Sequence, residues 1–351
     1  MDLIREHKKL IIVFAAILLV LIIIAGAVVL FINNQNRLSD EADPQKELYR
    51  KRYQEYDHRL SVNRDQIEYY IEELSSDKYE GRKAGTSGEA EAALYLAGEL
   101  KRFGYKTFFG DNYFQRFSVP QTALLENNRR YYLYPKEGFE FSYADNVIGY
   151  LGNEEATQFV ILSAYYDHLG QTNSQVPRIF SGANRNASGV SAVLEVARVL
   201  SEHKEQLDYQ IIIAFWSGHE TGLMGSKAFV DQLSQSELDN ILLAINVDTI
   251  GSLGSQHYLV CKENNAPDFF IKEALAWEAI DIEEYDETYK GDHIYFARRN
   301  TPAITLISEN WEQGTASFTD TYFGVDTLAV NNLAQHIANY LYWLEGEQND
   351  R

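Results

Sequence analysis

His219 and Glu220 have the clearest chemical potential in this sequence, because they stand just after a short apolar run, Ile211–Trp216. The run is unbroken and begins with β-branched residues, which is typical of a strand buried on both faces of a parallel sheet. Gly222 and Gly225 then allow the backbone to turn into a helix. Sites in open α/β sheets form beyond the carboxyl ends of the strands, so a carboxylate here indicates a functional site.

A second carboxylate has the same kind of position, because Asp248 ends another buried run, Ile241–Val247. Histidine is suited to proton transfer at neutral pH, so His219 could serve as a general base. The simpler interpretation of His219 is a polar residue in a remodelled pocket. No Ser-His-Asp pattern with a nucleophile elbow is visible, so the sequence gives no support to a serine hydrolase.

Two histidines follow aspartates elsewhere, in Asp167-His168 and Asp292-His293. Histidine with carboxylate is a suitable zinc ligand set, so both histidines could join Glu220 and Asp248 in one displaced metal site. Nothing in the spacing requires this arrangement. Structural hydrogen bonding by the two aspartates is the favoured interpretation.

The elements that must position these residues alternate between strands and helices. Strands are predicted at Tyr113–Val119, Tyr131–Tyr134, Asn146–Tyr150, Phe159–Ala164, Ile211–Trp216, Ile241–Val247, His257–Cys261 and Ala303–Ile307. Helices are predicted at Asp65–Leu74, Glu89–Phe103, Ser188–Leu200, Gly225–Leu233, Asp268–Ala279 and Leu328–Leu344. This alternation implies right-handed crossovers. It predicts a three-layer α/β/α domain with a mostly parallel central sheet.

The composition is that of a folded and strongly acidic protein. The 351 residues include 24 Tyr and 18 Phe, an aromatic content that argues against disorder. The formal charge of −20 disfavours binding of nucleic acid or anionic lipid by the main domain. Cys261 is the only cysteine, which excludes an intrachain disulfide and a cysteine-built zinc site.

A charge-free run of 23 residues, Leu10–Ile32, precedes this domain. It is long enough to span a hydrocarbon core of roughly 30 Å. A cleaved signal peptide is the alternative, since Ala25-Gly26-Ala27 resembles a cleavage site. The run is longer than a signal core, so we expect an uncleaved anchor. Basic residues within 1–9 place the N-terminus in the cytoplasm by the positive-inside rule.

Four regions are therefore predicted in a single-pass protein of the cell membrane. They are a cytoplasmic tail (1–9), a transmembrane helix (10–32), a juxtamembrane spacer (33–63) and an extracytoplasmic domain (64–351). The spacer is polar and rich in charge, which is typical of a segment that holds a domain away from the bilayer.

Several short motifs follow one another along the domain. They are Tyr79-Glu80-Gly81-Arg82, Asn146-Val147-Ile148-Gly149, Tyr165-Tyr166-Asp167-His168, Gly182-Ala183-Asn184-Arg185-Asn186, His219-Glu220, Asn246-Val247-Asp248 and Asp326-Thr327. In this order they resemble the co-catalytic di-zinc aminopeptidases (peptidase family M28). Relatives in that family include secreted aminopeptidases, glutaminyl cyclases and the catalytically silent ectodomains of transferrin receptor and nicastrin. The resemblance implies a fold in which five side chains hold two zinc ions beside a general-base glutamate.

Carried over position by position, the resemblance retains two of the five ligands, as Glu220 and Asp248. The two histidine positions hold Tyr165 and Tyr322, and neutral phenols are poor zinc ligands. The bridging aspartate falls at Arg185, whose guanidinium would repel a dication. The general-base position holds His219. The expected pocket comprises Tyr165, Asp167, Arg185, His219, Glu220, Asp248, His293 and Tyr322.

These substitutions favour a catalytically inactive homologue, a pseudopeptidase with a binding or scaffold role. We expect Arg185 to lie between Glu220 and Asp248 and to replace the metals as their positive charge. The domain would then need no cofactor, and its partners would be the membrane and a protein or peptide. The alternative is an active metallo-aminopeptidase with an atypical or single-metal zinc site.

Overall fold

The computed structural model describes residues 60–344, apart from 128–129, 137, 139, 256, 263–281 and 286–288. These residues belong to one compact unit, Tyr56–Arg351. The predicted transmembrane helix (10–32) and the predicted helix Asp268–Ala279 lie outside the described residues. Within the described ranges, no helix is both long and apolar enough to cross a membrane.

Helices and strands alternate along much of the domain. The helices are α1 Arg64–Leu74, α2 Ser87–Arg102, α3 Gly189–Glu202, α4 Met224–Gln232, α5 Gln235–Asp239, α6 Ile294–Ala297 and α7 Thr327–Trp343. The strands are β1 Lys106–Thr107, β2 Phe114–Pro120, β3 Thr122–Asn127, β4 Arg130–Pro135, β5 Phe141–Gly152, β6 Phe159–Tyr165, β7 Gln210–Trp216, β8 Ile241–Asp248, β9 Tyr258–Lys262, β10 Ile282–Tyr285 and β11 Ala303–Ser308.

A mixed sheet forms the centre of the domain. Its strand order is β1-β5-β7-β6-β8-β11-β9-β10, with β2 also paired to β5. The four adjacent strands β7, β6, β8 and β11 are parallel. Strand β5 is antiparallel to β7, and β9 is antiparallel to β11. The predicted parallel sheet is therefore found at the centre, and antiparallel strands extend it toward the edges.

Apolar side chains on both faces of the central strands explain why helices pack on the sheet from two sides. Every side chain from Ile211 to Trp216 in β7 is buried. Alternate residues of a strand point to opposite faces. Ile212 and Trp216 join a cluster with Phe229 of α4 and Phe296 of α6. Helix α3, which contributes nothing to that cluster, packs against β6, β7 and β8 and against α7.

The N-terminal half of the sheet differs most from the prediction. Strand β5 begins at Phe141, five residues before the predicted start at Asn146, because it continues to pair with β2 as far as Pro120. Strands β3 and β4 form a separate two-stranded ribbon. Only β4 was predicted. Side chains from one face of this ribbon pack with Leu169, Phe180, Ala316 and Phe318.

Candidate functional site

The carboxyl ends of β6, β7 and β8 meet at one edge of the sheet, because these strands are adjacent and parallel. Tyr165 is the last residue of β6, and Asp248 is the last residue of β8. Asp167 follows β6 closely, and His219 and Glu220 follow β7 closely. The fold therefore brings these five predicted site residues to the same edge.

Arg185 binds Glu220 through a bidentate ion pair. Its Nε donates to Oε1 of Glu220 at 2.7 Å, and its Nη2 donates to Oε2 at 2.8 Å. The two side chains are 20% and 6% exposed, so water screens the pair weakly. Burial alone would raise the pKa of Glu220, but Arg185 outweighs burial and holds that pKa well below its usual range. Glu220 is thus a carboxylate already paired with a guanidinium.

An irregular helical turn, Ala183–Ser188, presents Arg185 to the site. Asp320 fixes this turn, because its two carboxylate oxygens accept the backbone N–H groups of Asn184 and Arg185 at 2.7 and 3.0 Å. The Asn186 side chain donates to one backbone carbonyl of β6 and to one of β8. The Arg185–Asn186 peptide bond is cis. Backbone contacts thereby set the position from which the guanidinium reaches Glu220.

Hydroxyl groups, and not the guanidinium, bind the carboxylate of Asp248. Thr249 donates to its Oδ1 at 2.8 Å, and Tyr289 donates to its Oδ2 at 2.5 Å. In the described part of the chain, no hydrogen bond joins Arg185 to Asp248. Burial alone would lower the pKa of Arg185, but the charges of Glu220 and, less strongly, Asp248 raise it. The expected arrangement therefore differs in detail. Arg185 pairs with Glu220 alone, because the hydroxyls of Tyr289 and Thr249 take the oxygens of Asp248.

His219 is held by a carboxylate and by an aromatic ring. Its Nδ1 lies 2.7 Å from Oδ2 of Asp292, whose Oδ1 accepts a hydrogen bond of 2.5 Å from Ser226. The imidazole stacks on Tyr165 with ring centroids 3.5 Å apart. Burial alone would lower the pKa of His219, but the charge of Asp292 raises it to about 9. His219 therefore carries a proton at neutral pH and is poorly suited to accept one as a general base.

Asp167 and His168 support the loop that carries His219 and Glu220. The oxygens of Asp167 accept the backbone N–H groups of those two residues at 2.9 and 3.2 Å, and burial raises the pKa of Asp167 to about 8. Nδ1 of His168 lies 3.4 Å from Oε1 of Glu220. Its buried Nε2 has no hydrogen-bond partner among the described residues. Burial also lowers the pKa of His168, which favours the neutral imidazole.

Two of the predicted pocket residues have other surroundings. Nδ1 of His293 lies 2.8 Å from the hydroxyl of Thr305, and burial lowers the pKa of His293 to about 4. Tyr322 lies in a short 3-10 turn, where burial and then the charge of Glu68 in α1 raise the pKa of its phenol. Within the described ranges, no hydrogen bond joins either residue to Glu220.

Several residues of the observed site are absent from the predicted set, among them Asp320, Tyr289 and Arg82. Arg82 is almost fully buried and donates to the backbone carbonyls of Leu74, Tyr166, Ser181 and Gly182. It thereby links the loop after β6 to the turn that carries Arg185. Arg82 could have been found from the sequence, because it belongs to the Glu80-Gly81-Arg82 motif. Asp320 and Tyr289 have no such signal, because only the tertiary fold brings them to the site.

The side chains at this edge do not fit a pair of zinc ions. By the resemblance, Arg185 stands where the family has the aspartate that bridges the two metals. The Arg185 guanidinium binds both carboxylate oxygens of Glu220, which a metal would need as ligands. Burial raises the pKa of Tyr165 well above its usual value, so its phenol stays neutral and is a poor ligand. Among the described residues, no three His, Cys, Asp or Glu side chains are grouped as a metal site.

Solved structures with the same architecture include aminopeptidases and a glutaminyl cyclase. The aminopeptidase from Aneurinibacillus sp. strain AM-1 matches with a TM-score of 0.65 and 16% identity, covering 82% of this chain and 95% of that one. A glutaminyl cyclase from Bacteroides thetaiotaomicron matches with a TM-score of 0.58 and 21% identity, covering 81% and 99%. The domain therefore has the mixed α/β fold of the zinc aminopeptidases.

Sequence comparison assigns the family. The model of peptidase family M28 matches residues 146–341. Aminopeptidase YwaD of Bacillus subtilis (strain 168) is 31% identical over 172 residues, or 47% of this chain and 35% of that protein. Leucine aminopeptidase 2 of Trichophyton equinum is 27% identical over 174 residues, or 46% and 33%. The matched segments span about a third of the length of these relatives. This chain belongs to peptidase family M28.

Proposed function

We propose that the chain is a membrane-anchored M28 domain that does not hydrolyse peptides and serves as a binding or scaffold module outside the membrane. The ion pair between Arg185 and Glu220 carries this proposal. A guanidinium remains charged at any physiological pH and repels a dication. Its pairing with Glu220 gives that carboxylate a permanent cation in place of the metal used by structural neighbours such as the zinc aminopeptidase from Bacillus subtilis.

The neighbouring groups support the same proposal, because none of them is prepared to replace the metal chemistry. His219 keeps its proton at neutral pH through Asp292, so it is not ready to deprotonate water. Asp248 is occupied by two hydroxyl groups. Under this proposal, a peptide or protein partner would bind at this edge of the sheet.

The proposed location rests on the sequence. The charge-free run Leu10–Ile32 is long enough for one transmembrane helix, and basic residues precede it. The spacer 33–63 would then connect that helix to the domain on the other side of the membrane. The formal charge of −20 speaks against nucleic acid as the partner.

A hydrolysis assay tests the proposed inactivity. The purified full-length chain is incubated with aminoacyl-p-nitroanilides and unblocked peptides, with and without added zinc. We expect no turnover above that of the matched variant Glu220→Gln. Turnover that zinc stimulates, that a chelator removes and that Glu220→Gln abolishes would contradict the proposal.

One observation favours a second candidate, an active aminopeptidase with a single rebuilt zinc site. Nδ1 of His168 lies 3.4 Å from Oε1 of Glu220, and burial lowers the pKa of His168, which favours a neutral imidazole that could ligate a metal. An imidazole and a carboxylate are a suitable start for one zinc ion. The Arg185 ion pair would have to open first. If this second candidate is right, zinc will produce hydrolytic activity in the wild-type chain and His168→Gln will abolish it. If the chain is an inactive module, added zinc will produce no activity in either protein.

A further inference from the structure

The ribbon formed by β3 and β4 exposes apolar side chains on the face that points away from the domain. In its antiparallel register, Leu125 lies opposite Tyr132 and Ala123 lies opposite Tyr134. Residues opposite each other, and residues two apart along a strand, share a face. Leu125, Tyr132 and Tyr134 therefore stand on one face, and they are 49%, 47% and 64% exposed. We call this set the ribbon outer face.

The inner face of the ribbon is apolar as well. Leu124, Tyr131 and Leu133 pack with Leu169, Phe180, Ala316 and Phe318. An antiparallel ribbon with one face on a core normally carries polar residues on the other face. The apolar outer face is therefore not needed for the fold, and it indicates a binding surface.

The chemistry of the outer face fits the interfacial region of a lipid bilayer. Tyrosine combines an apolar ring with a polar hydroxyl, and it is enriched at the level of the lipid headgroups. The stretch 122–137 has three basic residues, Arg129, Arg130 and Lys136, against two acidic residues, Glu126 and Glu137. Its net charge is +1 in a chain whose formal charge is −20, and Arg130 also pairs with Glu312. Basic residues beside interfacial aromatics favour contact with phosphate groups.

The preceding part of the chain would keep the domain close to such a surface. Between the charge-free run and the first described residue, Leu60, lie 27 residues, 33–59. Fully extended, they would reach at most about 90 Å at roughly 3.3 Å per residue. Tethering at this range raises the effective concentration of a weak membrane contact, so a small aromatic patch is sufficient.

We propose that the ribbon outer face is a second membrane-contact site, which inserts Leu125, Tyr132 and Tyr134 into the interfacial region of the bilayer. This inference rests on the proposed anchoring. The inner face of the ribbon packs on Leu169, two residues after Asp167, and on Ala316, four residues before Asp320. The ribbon therefore lies beside the loops that carry Asp167 and Asp320.

Depth-dependent fluorescence quenching tests the site in the full-length chain. Cys261→Ser removes the single buried thiol. Leu125→Cys then places a bimane label on the outer face. Glu205→Cys is the matched control, because it is exposed and precedes β7, at the opposite end of the parallel strands. Both proteins are reconstituted into liposomes of phosphatidylcholine and phosphatidylglycerol. They are titrated with iodide in water and, separately, with a bromine-substituted lipid.

We expect the brominated lipid to quench the label at 125 several-fold more than the label at 205, and iodide to give the reverse order. Replacing both Tyr132 and Tyr134 by serine should remove this difference between the two labels. In a density gradient, this variant should still float with the liposomes, because its anchor is unchanged. Equal iodide quenching at 125 and 205 in a floating chain would overturn the membrane contact and leave the anchor intact. Protection from both quenchers in a dimeric protein would overturn it in favour of a second copy of the chain. A chain that does not float would overturn both the contact and the anchor.

Discussion

Arg185→Met isolates the contribution of the ion pair, because methionine has a similar length and no charge. The substitution leaves Glu220 with His168 at 3.4 Å as its remaining side-chain partner among the described residues. Two charge-assisted hydrogen bonds of about 1.5–3 kcal/mol each disappear. Breaking a buried pair costs about 3–5 kcal/mol. Because the Arg185 side chain is 20% exposed, we expect the lower end, a loss of about 3 kcal/mol in the free energy of unfolding.

The assay is a double-mutant cycle in urea, with Arg185→Met, Glu220→Gln and the double variant of the full-length chain in detergent. Unfolding is followed by the intrinsic fluorescence of the four tryptophans, of which Trp216 is fully buried. We expect a coupling energy of at least about 2 kcal/mol between the two sites. Arg116→Met is the control, because its pair with Asp145 has an arginine that is 70% exposed. It should cost less than about 1 kcal/mol. Coupling below about 0.5 kcal/mol would refute the reasoning.

The stability deficit of Arg185→Met is its loss in the free energy of unfolding relative to the wild-type chain. The pH dependence of this deficit provides an independent check. The folded-state pKa of Glu220 lies below its unfolded value, so its stabilising effect is present above about pH 4.3 and is lost as the pH falls through the folded pKa. In Arg185→Met, burial raises the pKa of Glu220 instead, and protonation then relieves an unpaired charge. The deficit should therefore shrink as the pH falls from 7 toward 4. A deficit that stays constant over this range would show that Glu220 is not the residue left unpaired.

Three further predictions concern the groups around the ion pair. NMR titration of the imidazoles should find His219 with a pKa near 9, and Asp292→Asn should lower it, because Asp292 is the largest of the charges that oppose the effect of burial; an unchanged value would contradict the role of Asp292. Since the pKa of His219 is raised, its stabilising effect is complete below about pH 6.5 and is lost as the pH rises through 9. Phe229→Ala should destabilise the domain by about 3–5 kcal/mol in urea, because this ring packs between two helices and the sheet; a loss below about 1 kcal/mol would contradict that packing. Arg82→Met should cost at least about 3 kcal/mol, because it leaves backbone carbonyls unpaired in the interior, and a near-neutral change would show that water replaces the guanidinium.

The centre of the fold was predictable because its signal is local. The apolar run at 211–216 is continuous, and the runs at 241–247 and 303–307 are each interrupted by one polar residue, Asn246 and Thr305. Each run falls in a buried strand, β7, β8 and β11. Strand β3 was missed, because Glu126 and Asn127 break the apolar pattern of its second half. The early start of β5 was missed for a different reason: its first residues are held by pairing with β2, which the sequence of β5 alone does not reveal.

The candidate site was predictable only where a motif marks it. Glu220 and Asp248 follow buried strands, and that position alone assigns them to the carboxyl edge of the sheet. The partner of Asp248 was not predictable, because Tyr289 lies 41 positions away and only the fold joins the two. The same holds for Asp320, which fixes the turn of Arg185 from 135 positions away. Tyr322 was placed by resemblance, yet its charged surroundings lie in α1.

Zinc binding by the full-length chain tests the central claim most directly. The protein is dialysed against trace zinc, and its metal content is measured by elemental analysis beside Glu220→Gln and Asp248→Asn. If Arg185 occupies the place of the metals, the wild-type chain will retain no more zinc than the two variants. Zinc close to one equivalent in the wild-type chain, lost in both variants, would contradict the account and establish a rebuilt metal site.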